Sequence, residues 1–557
     1  MIVNWSKSRK VIFTVGALGL LVSVVLLLPF VRTLAIGFME TFIMQRELKS
    51  PDRWIDLLRN YAACGIALFA SLLAIIAYHE ELKNIILSIN YKQLIIPFII
   101  MSIIYVLSIS SIIQADFLYR DDINRSISGA RRWDNYSRYI SNFLAILIHT
   151  NIRISDISPL TQILAAIFIA ASSVMLVYVL NNKKITKTAL AASLPLGLSP
   201  YFLECFSFKF DSPYMALSVF ASIIPFFFME NRRIFSIISV IGIWVMCMTY
   251  QASSGIYIII VIFLCFLQWN TRQKTNKEIL AFMFVSAISY CVATLIFALF
   301  IMRPFDDYVA SSLHSLLGAF RNFTTYIYQI RSDFNIVWKT LLFLVIVAFV
   351  IKSVITTKRR KLFAFFVSFI VVITMAVLSY GIYLVMSASL YAPRAMYGFG
   401  VFIAILGIYT ACPPKKAFVA PALALCWCFF VFAFVYGNAL SAQKKYVTFR
   451  SEMLLHDLST LFPQHHSALP MQLQLEGSTG YAPVVHNIAV SNPVIFRLVP
   501  IDLHGKWFSG AAWLARHYNF RDLVQSESSS GDSFNQIFDS YYHTIKSDGE
   551  QVMVILK

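Results

Sequence analysis

The stretch Gln93–Arg125, QLIIPFIIMSIIYVLSISSIIQADFLYRDDINR, decides how the chain is read. Its first part, as far as Ile113, is apolar, and roughly 20 such residues wound as a helix cross the ~30 Å of hydrocarbon in a bilayer. Its end is charged: Asp121, Asp122 and Arg125 follow the apolar run within a few residues. A span followed by an acidic pair puts carboxylates into water at a membrane surface. A carboxylate there can take a proton from an attacking hydroxyl, and arginines beside it can hold a phosphate that leaves.

Outward from this stretch, the apolar half repeats along most of the chain. Of 557 residues, 58% are hydrophobic and 13% charged, and the mean hydropathy is +0.70, whereas soluble domains carry about 25% charged residues. Candidate spans lie near 11–30, 60–78, 93–113, 159–180, 189–203, 213–229, 234–249, 252–269, 279–301, 337–356, 362–386, 395–411 and 417–437. The composition therefore predicts an all-α polytopic membrane protein with about thirteen transmembrane helices. The segments near 189, 234 and 395 are short, as re-entrant segments are. The first run follows Lys7, Arg9 and Lys10 but lacks a small-residue cleavage site, so it reads as an uncleaved span.

Lysine and arginine in short loops set orientation. With the N-terminus in the cytoplasm, alternate loops are short and basic: Lys83 and Lys92; Lys183, Lys184 and Lys187; Arg232 and Arg233; Arg272, Lys274 and Lys277; Lys358 to Lys361; Lys415 and Lys416. The opposite loops carry the aspartate pair, Arg303 with Asp306 and Asp307, Arg394, and everything after Tyr436. This predicts a membrane domain over 1–436, whose first large outer loop, about 114–158, is the catalytic one, and an extracytoplasmic domain over 437–557. The tail is polar and lacks a span. Val485–Val490, Val494–Val499 and Gln551–Leu556 read as strands and Trp513–Tyr518 as a helix, giving a small α/β or α+β unit.

None of the eight cysteines falls in the tail, which argues against a disulfide framework or a structural zinc site there. The tail histidines, including the adjacent His465 and His466, have no metal-binding spacing. No phosphate-binding loop or dinucleotide fingerprint is present. The net charge of +18 is accounted for by cytoplasmic loops and by attraction to anionic lipid head groups, with no need for nucleic acid. The outer loop from Arg120 to Arg153 adds Arg125, Arg131, Arg132 and Arg138. Guanidinium suits a departing phosphate because it is always charged and binds in a fork. Solvated arginines that touch lipid phosphates are the simpler account of any one of them. The aspartate pair has an equally simple role, capping the helix that follows it.

Tyr119-Arg120-Asp121-Asp122-Ile123-Asn124-Arg125, followed by Gly129, Trp133 and Ser137-Arg138, resembles the serotype-converting O-antigen glucosyltransferases carried by phages of enteric bacteria. These belong to the GT-C class of membrane glycosyltransferases, which use sugars on lipid phosphates. The resemblance continues at Pro200–Glu204, Phe208–Ser212, Tyr250-Gln251-Ala252, Ala392-Pro393-Arg394, Leu498-Val499-Pro500 and the Trp507 to Trp513 region. The family pattern has a Gly-Arg pair where this chain has Ser137-Arg138.

The resemblance implies transfer of glucose from undecaprenyl-phosphate-glucose to a lipid-linked O-antigen acceptor on the periplasmic face of the bacterial inner membrane. A small flippase and a polyprenyl-phosphate glucosyltransferase would be its functional partners. On this reading Asp122 or Asp121 is the base, with Asp122 the first choice, and the other aspartate orients the sugar or holds a divalent metal. Arg138 and Arg394 rank ahead of Arg125, Arg131 and Arg132 as holders of the lipid phosphate. Trp133, Glu204, Lys209, Asp211, Gln251 and Tyr391 are the sugar- and acceptor-binding candidates. Simpler roles are an internal pairing of Lys209 with Asp211 or Glu204, and a helix-to-helix hydrogen bond for Gln251. Two alternatives stand beside this reading: transfer of another sugar to lipid A or protein, and a transporter or lipid flippase. A transporter should show internal repeats and broken helices, and no convincing repeat is found.

Overall fold

The computed structural model describes residues 7–38, 51–87, 90–302, 315–413, 416–462 and 471–505, and beyond these 510, 513–514, 517–518, 523–525, 534–549 and 551–557. His314, His465, His466, Lys415, Arg303, Asp306, Asp307 and most of the Trp507 to Trp513 region lie outside the described residues.

Apolar helices dominate, and many begin on a side-chain cap. Thr186, Asn231, Thr275 and Asn335 each accept a backbone N–H of the first turn, and a cap of this kind contributes about 1 kcal/mol. Eight helices among the described residues are long and apolar enough to cross a membrane: Lys10–Leu27, Tyr91–Ala115, Leu160–Leu180, Gln251–Asn270, Asn276–Ile301, Ile336–Thr356, Lys361–Leu378 and Ala420–Leu461. Two further candidates are bent pairs, Tyr61–Ala77 with His79–Ile85 at 80°, and Lys187–Leu198 with Pro200–Ser207 at 60°. Outer surfaces of these helices are apolar. Leu362, Phe363, Phe366, Phe369 and Ile370 are all exposed along one of them, the state expected of side chains that face lipid. The chain is a membrane protein.

The expected thirteen spans therefore become eight, or ten if each bent pair is counted as one span. The difference lies in short apolar helices such as Ser212–Phe228 and Gly398–Ala411. All 14 residues of Gly398–Ala411 are buried, so neighbouring helices satisfy the apolar demand that lipid satisfies elsewhere. An apolar run alone does not distinguish these two environments.

The last of the long helices, Ala420–Leu461, runs unbroken for 42 residues, or ~63 Å at 1.5 Å per residue. Its first half packs in the membrane body. A Cβ on Gly437 would lie 2.3 Å from Ser111 Oγ and 2.6 Å from Ile112 N, so glycine is what lets this helix approach the end of the span before the outer loop. Its second half places Val447, Leu454 and Leu458 in a separate core with Leu473, Leu475, Trp513, Leu514, Ile545, Val552 and Val554. That core covers a five-stranded mixed sheet of β1 (Met471–Gly477), β2 (Leu523–Gln525), β3 (Asn535–Asp539), β4 (His543–Ser547) and β5 (Gln551–Leu556), in the order β2-β1-β5-β4-β3. β1 pairs in parallel with β2 and β5, whereas β4 pairs antiparallel with β3 and β5. Arg450 fastens helix to sheet by donating to the carbonyls of Tyr542 (2.6 Å) and Lys557 (2.9 Å).

Gln551–Leu556 is the strand expected, and the described residues Trp513, Leu514 and His517 are helical. The two other expected strands are helices, Pro483–Ser491 and Ile495–Leu498. β-branched residues suggested strands, but Pro483 sits in the first turn and the buried Val485 and Ala489 are four residues apart, one face of a helix. That face packs against the membrane body, which tertiary context supplies and the local alternation cannot show.

Candidate active site

The loop over 114–158 is pinned by five non-glycine residues with positive φ: Asp116 (47°), Arg120 (50°), Arg132 (54°), Ser137 (56°) and Thr150 (52°). Arg120 has ψ −104°, a sparsely populated combination for a side-chain-bearing residue, and such strain persists only where the surroundings hold it. Ser137 occupies the left-handed conformation that glycine adopts freely, which gives a physical reason for a Gly-Arg pair in the family pattern.

The helix Asp121–Ser128 starts directly after the strained Arg120 and ends at Gly129, whose φ is +64°. Its two aspartates point apart, as successive helical residues must. Asp122 is fully buried. It accepts the backbone N–H groups of Tyr119 (3.3 Å), Lys209 (2.8 Å) and Phe210 (3.4 Å), so it clamps the start of the helix to the segment that carries Asp211. Burial, with the Asp211 charge beside it, pushes its carboxyl well above the usual range. Asp122 was the first choice for the base, yet its oxygens face the protein's own amides and not solvent. Asp121 is exposed, and its charge reaches Arg394.

Behind Asp122 lies a closed knot. Arg125 is ion-paired with Asp211 and stacks over Trp133, its Cζ 4.6 Å from the ring centroid. Trp133 is buried and donates to Asp211 Oδ1 at 2.5 Å. Lys209 is paired with Asp116 and Asp156 and with neither Asp211 nor Glu204, as had been the alternative. Arg131 donates to the Asn142 carbonyl at 3.0 Å, and Arg132 is exposed. Arg125, Trp133, Lys209 and Asp211, expected to touch phosphate or sugar, thus hold one another and their neighbours.

In front, two arginines converge. Arg394 donates to the buried Glu204 through its backbone N–H (2.5 Å) and its guanidinium (3.0 Å). Arg120 shares the same carboxylate at 3.6 Å. Opposite charge on Glu204 and Asp121 holds the Arg394 guanidinium firmly protonated. Arg138 donates to Gln251 Oε1 at 3.1 Å and lies 4.4 Å over the Tyr250 ring and 5.1 Å over Tyr136. Gln251 also donates to the Tyr136 carbonyl at 3.0 Å, so its amide aims Arg138. Both guanidiniums act electrostatically on Tyr250 and Tyr383. The two arginines ranked first in the sequence thus act on the same two tyrosines. Tyr391 stands further along, its hydroxyl on Asn322 Oδ1 at 3.0 Å.

Arg138 also lines a cavity of about 260 Å³, with Met246, Tyr290, Phe297, Met302, Ile382 and Met386 among its walls. This is a mostly apolar chamber with one cation, Arg138, among its described lining residues. Tyr119 and Arg120 were quoted in the sequence but given no role. The Tyr119 hydroxyl lies 2.6 Å from the Leu498 carbonyl and 3.1 Å from Glu204, and only the fold reveals that junction. Among the described residues, no group of three or more His, Cys, Asp or Glu is placed to hold a metal ion.

An uncharacterized 55.3 kDa protein in the gtrB 5′ region of Salmonella phage P22 is 30% identical over 143 residues, a match that spans 25% of this chain and 29% of that protein's length. No solved structure matches the chain. The model of the family described as Glucosyl transferase GtrII matches residues 110–411, from the end of the span before the aspartates to the helix behind Arg394. With more than half of its length matched, the chain belongs to the glucosyl transferase GtrII family.

Proposed function

We propose that this protein is a polyprenyl-phosphate-sugar-dependent glucosyltransferase, moving glucose from undecaprenyl-phosphate-glucose to a sugar of a lipid-linked O-antigen on the periplasmic face of the inner membrane. The observation that carries this reading is that Arg138 is the one cation among the described residues lining an apolar chamber, while Arg394 acts electrostatically on the same Tyr250 and feels the charge of the exposed Asp121. The chamber has room for the isoprene units nearest the phosphate, and that phosphate meets the Arg138 guanidinium.

The reaction follows from these positions. The acceptor hydroxyl oxygen forms a bond to the anomeric carbon while the bond from that carbon to the phosphate oxygen breaks. The bonding electron pair leaves on the phosphate, and the hydroxyl proton passes to the Asp121 carboxylate. The anomeric configuration inverts, and the products are the glucosylated acceptor and undecaprenyl phosphate. Arg138 and Arg394 stabilise the phosphate charge as it grows, and a positioned base contributes ~10² to 10⁴ in rate. Asp122 and the Arg125–Asp211–Trp133 knot position the helix that bears Asp121 and are not part of the chemistry. A flippase that delivers the donor and a membrane enzyme that charges polyprenyl phosphate with glucose are the partners this chemistry requires.

The test uses the full chain in nanodiscs with synthetic polyprenyl-phosphate glucose and an O-antigen oligosaccharide. Free polyprenyl phosphate is expected only when the acceptor is present. Transfer of glucose to the oligosaccharide from a nucleotide sugar in place of the lipid donor, or no release of polyprenyl phosphate from the lipid donor, would sink the reading.

A further inference from the structure

A second cavity, of about 700 Å³, opens where the C-terminal unit meets the membrane body. Its walls come from both sides: Arg120 from the outer loop, and Glu476, Ser478, Tyr481, Phe496 and His504 from the tail. The volume falls within the ~300–1,000 Å³ of ligand sites and is more than twice that of the apolar chamber.

Its surface is built, not incidental. The Tyr481 hydroxyl donates to the Phe496 carbonyl at 2.7 Å, and the two rings stand 4.8 Å apart. His486 packs edge-on against both rings, at 5.8 Å from Tyr481 and 5.4 Å from Phe496. Phe496 is nevertheless 40% exposed, so the platform keeps an open face. The floor is tied by Gly505 N–H to the Gly477 carbonyl (2.9 Å) and Thr479 N–H to the Leu503 carbonyl (3.1 Å). A Cβ on Gly505 would lie 2.2 Å from the Leu475 carbonyl, so the close approach of this loop to β1 requires glycine. The exposed Glu476 carboxylate stands at the end of β1.

Rigid aromatic faces beside a carboxylate, a hydroxyl and an imidazole suit a sugar chain, whose rings present C–H faces and whose edges present hydroxyls. The cleft leads inward to Arg120, which lies 3.6 Å from the Glu204 that holds Arg394. Asp121 is the next residue.

We propose that this cleft binds the non-reacting sugars of an oligosaccharide acceptor, and that the C-terminal unit thereby selects which polysaccharide receives the transferred group. The assignment rests on the glucosyl-transfer reading, and neither Tyr481 nor Glu476 belongs to the proposed transfer machinery. The acceptor runs from the Tyr481–Phe496 platform toward Arg120, which delivers one hydroxyl to Asp121.

The test is direct binding, read by saturation-transfer NMR on the full chain in nanodiscs, with a panel of enteric O-antigen repeat-unit oligosaccharides and no donor present. At least one oligosaccharide should bind the wild-type chain, and Tyr481→Ala and Glu476→Gln should each weaken it tenfold or more. Glu476 is on the surface, so Glu476→Gln keeps the test valid if Tyr481→Ala fails to fold. In turnover, both variants should raise KM for the oligosaccharide with kcat kept, the mark of binding energy expressed equally in ground and transition states. Unchanged affinity in both variants, or no binding of any oligosaccharide to the wild type, would overturn the cleft. Failure of donor turnover in a wild-type chain that still binds the oligosaccharide would instead overturn the transfer reading and leave the saccharide cleft standing.

Discussion

The two sides of the helix Asp121–Ser128 have the same kinds of residue and opposite circumstances. Inward, Asp122 and Arg125 are buried, and with Asp211 and Trp133 they form a set whose polar atoms face one another. Outward, Asp121 and Arg120 are exposed beside Glu204 and Arg394, where charge still has room for a ligand. Charge density alone therefore does not mark the reacting groups. What separates the two aspartates is whether the protein has already satisfied the charge: Asp122 is buried on three backbone N–H groups, whereas Asp121 is exposed.

The largest effect expected from breaking this contrast is on stability. Arg125→Ala leaves Asp211 buried without its cation, and loss of one partner of a buried pair costs about 3–5 kcal/mol. Thermal unfolding in nanodiscs should show a large fall in Tm, and an unchanged Tm would mean the inner knot is not structural. Next is Asp121→Asn, for which acceptor-dependent turnover should fall by ~10² to 10⁴ with Tm unchanged. A variant that unfolds, or one that keeps full turnover, would erase the distinction between the two sides. Asp122→Asn should give the crossed result. Its amide presents N–H where Asp122 now receives N–H groups from Tyr119 and Lys209, a loss of about 1–3 kcal/mol, and folded molecules should keep much of their turnover.

A separate, pH-dependent effect concerns Asp502 in the tail, which burial pushes up to about 7 from its ordinary 3.8 while Arg120 opposes the shift. A carboxyl with a raised native value binds its proton more tightly when folded. Its stabilising effect is therefore complete below its ordinary value and lost as pH rises through about 7. Asp502→Asn should raise Tm relative to the wild type at pH 8, with the gain shrinking toward pH 5. A gain independent of pH would show that the carboxyl is not titrating there.

The sequence made the membrane class and the charged loop after the third apolar run legible, because apolar length and charge at a span end are local properties. It could not divide Asp121 from Asp122. Which of them turns inward depends on the backbone of Lys209 and Phe210, some 87 residues further along the chain. Pro483–Ser491 was read as a strand for a related reason: alternation is local, whereas the face that buries Val485 and Ala489 belongs to the membrane body.

By itself, then, the sequence determined that this chain enters a membrane as apolar helices, that it carries carboxylates and guanidiniums where those helices emerge, and that a polar tail follows. Each of these depends on hydrophobic length or on the cost of taking charge out of water, and both can be read residue by residue. Tertiary structure alone decided which charges cancel one another, that Arg138 is the arginine lining the apolar chamber, and that the tail closes a cleft against Arg120. Those outcomes depend on contacts between residues far apart in the chain, and pairing in the folded protein fixes whether a charged group is scaffold or remains available to a substrate.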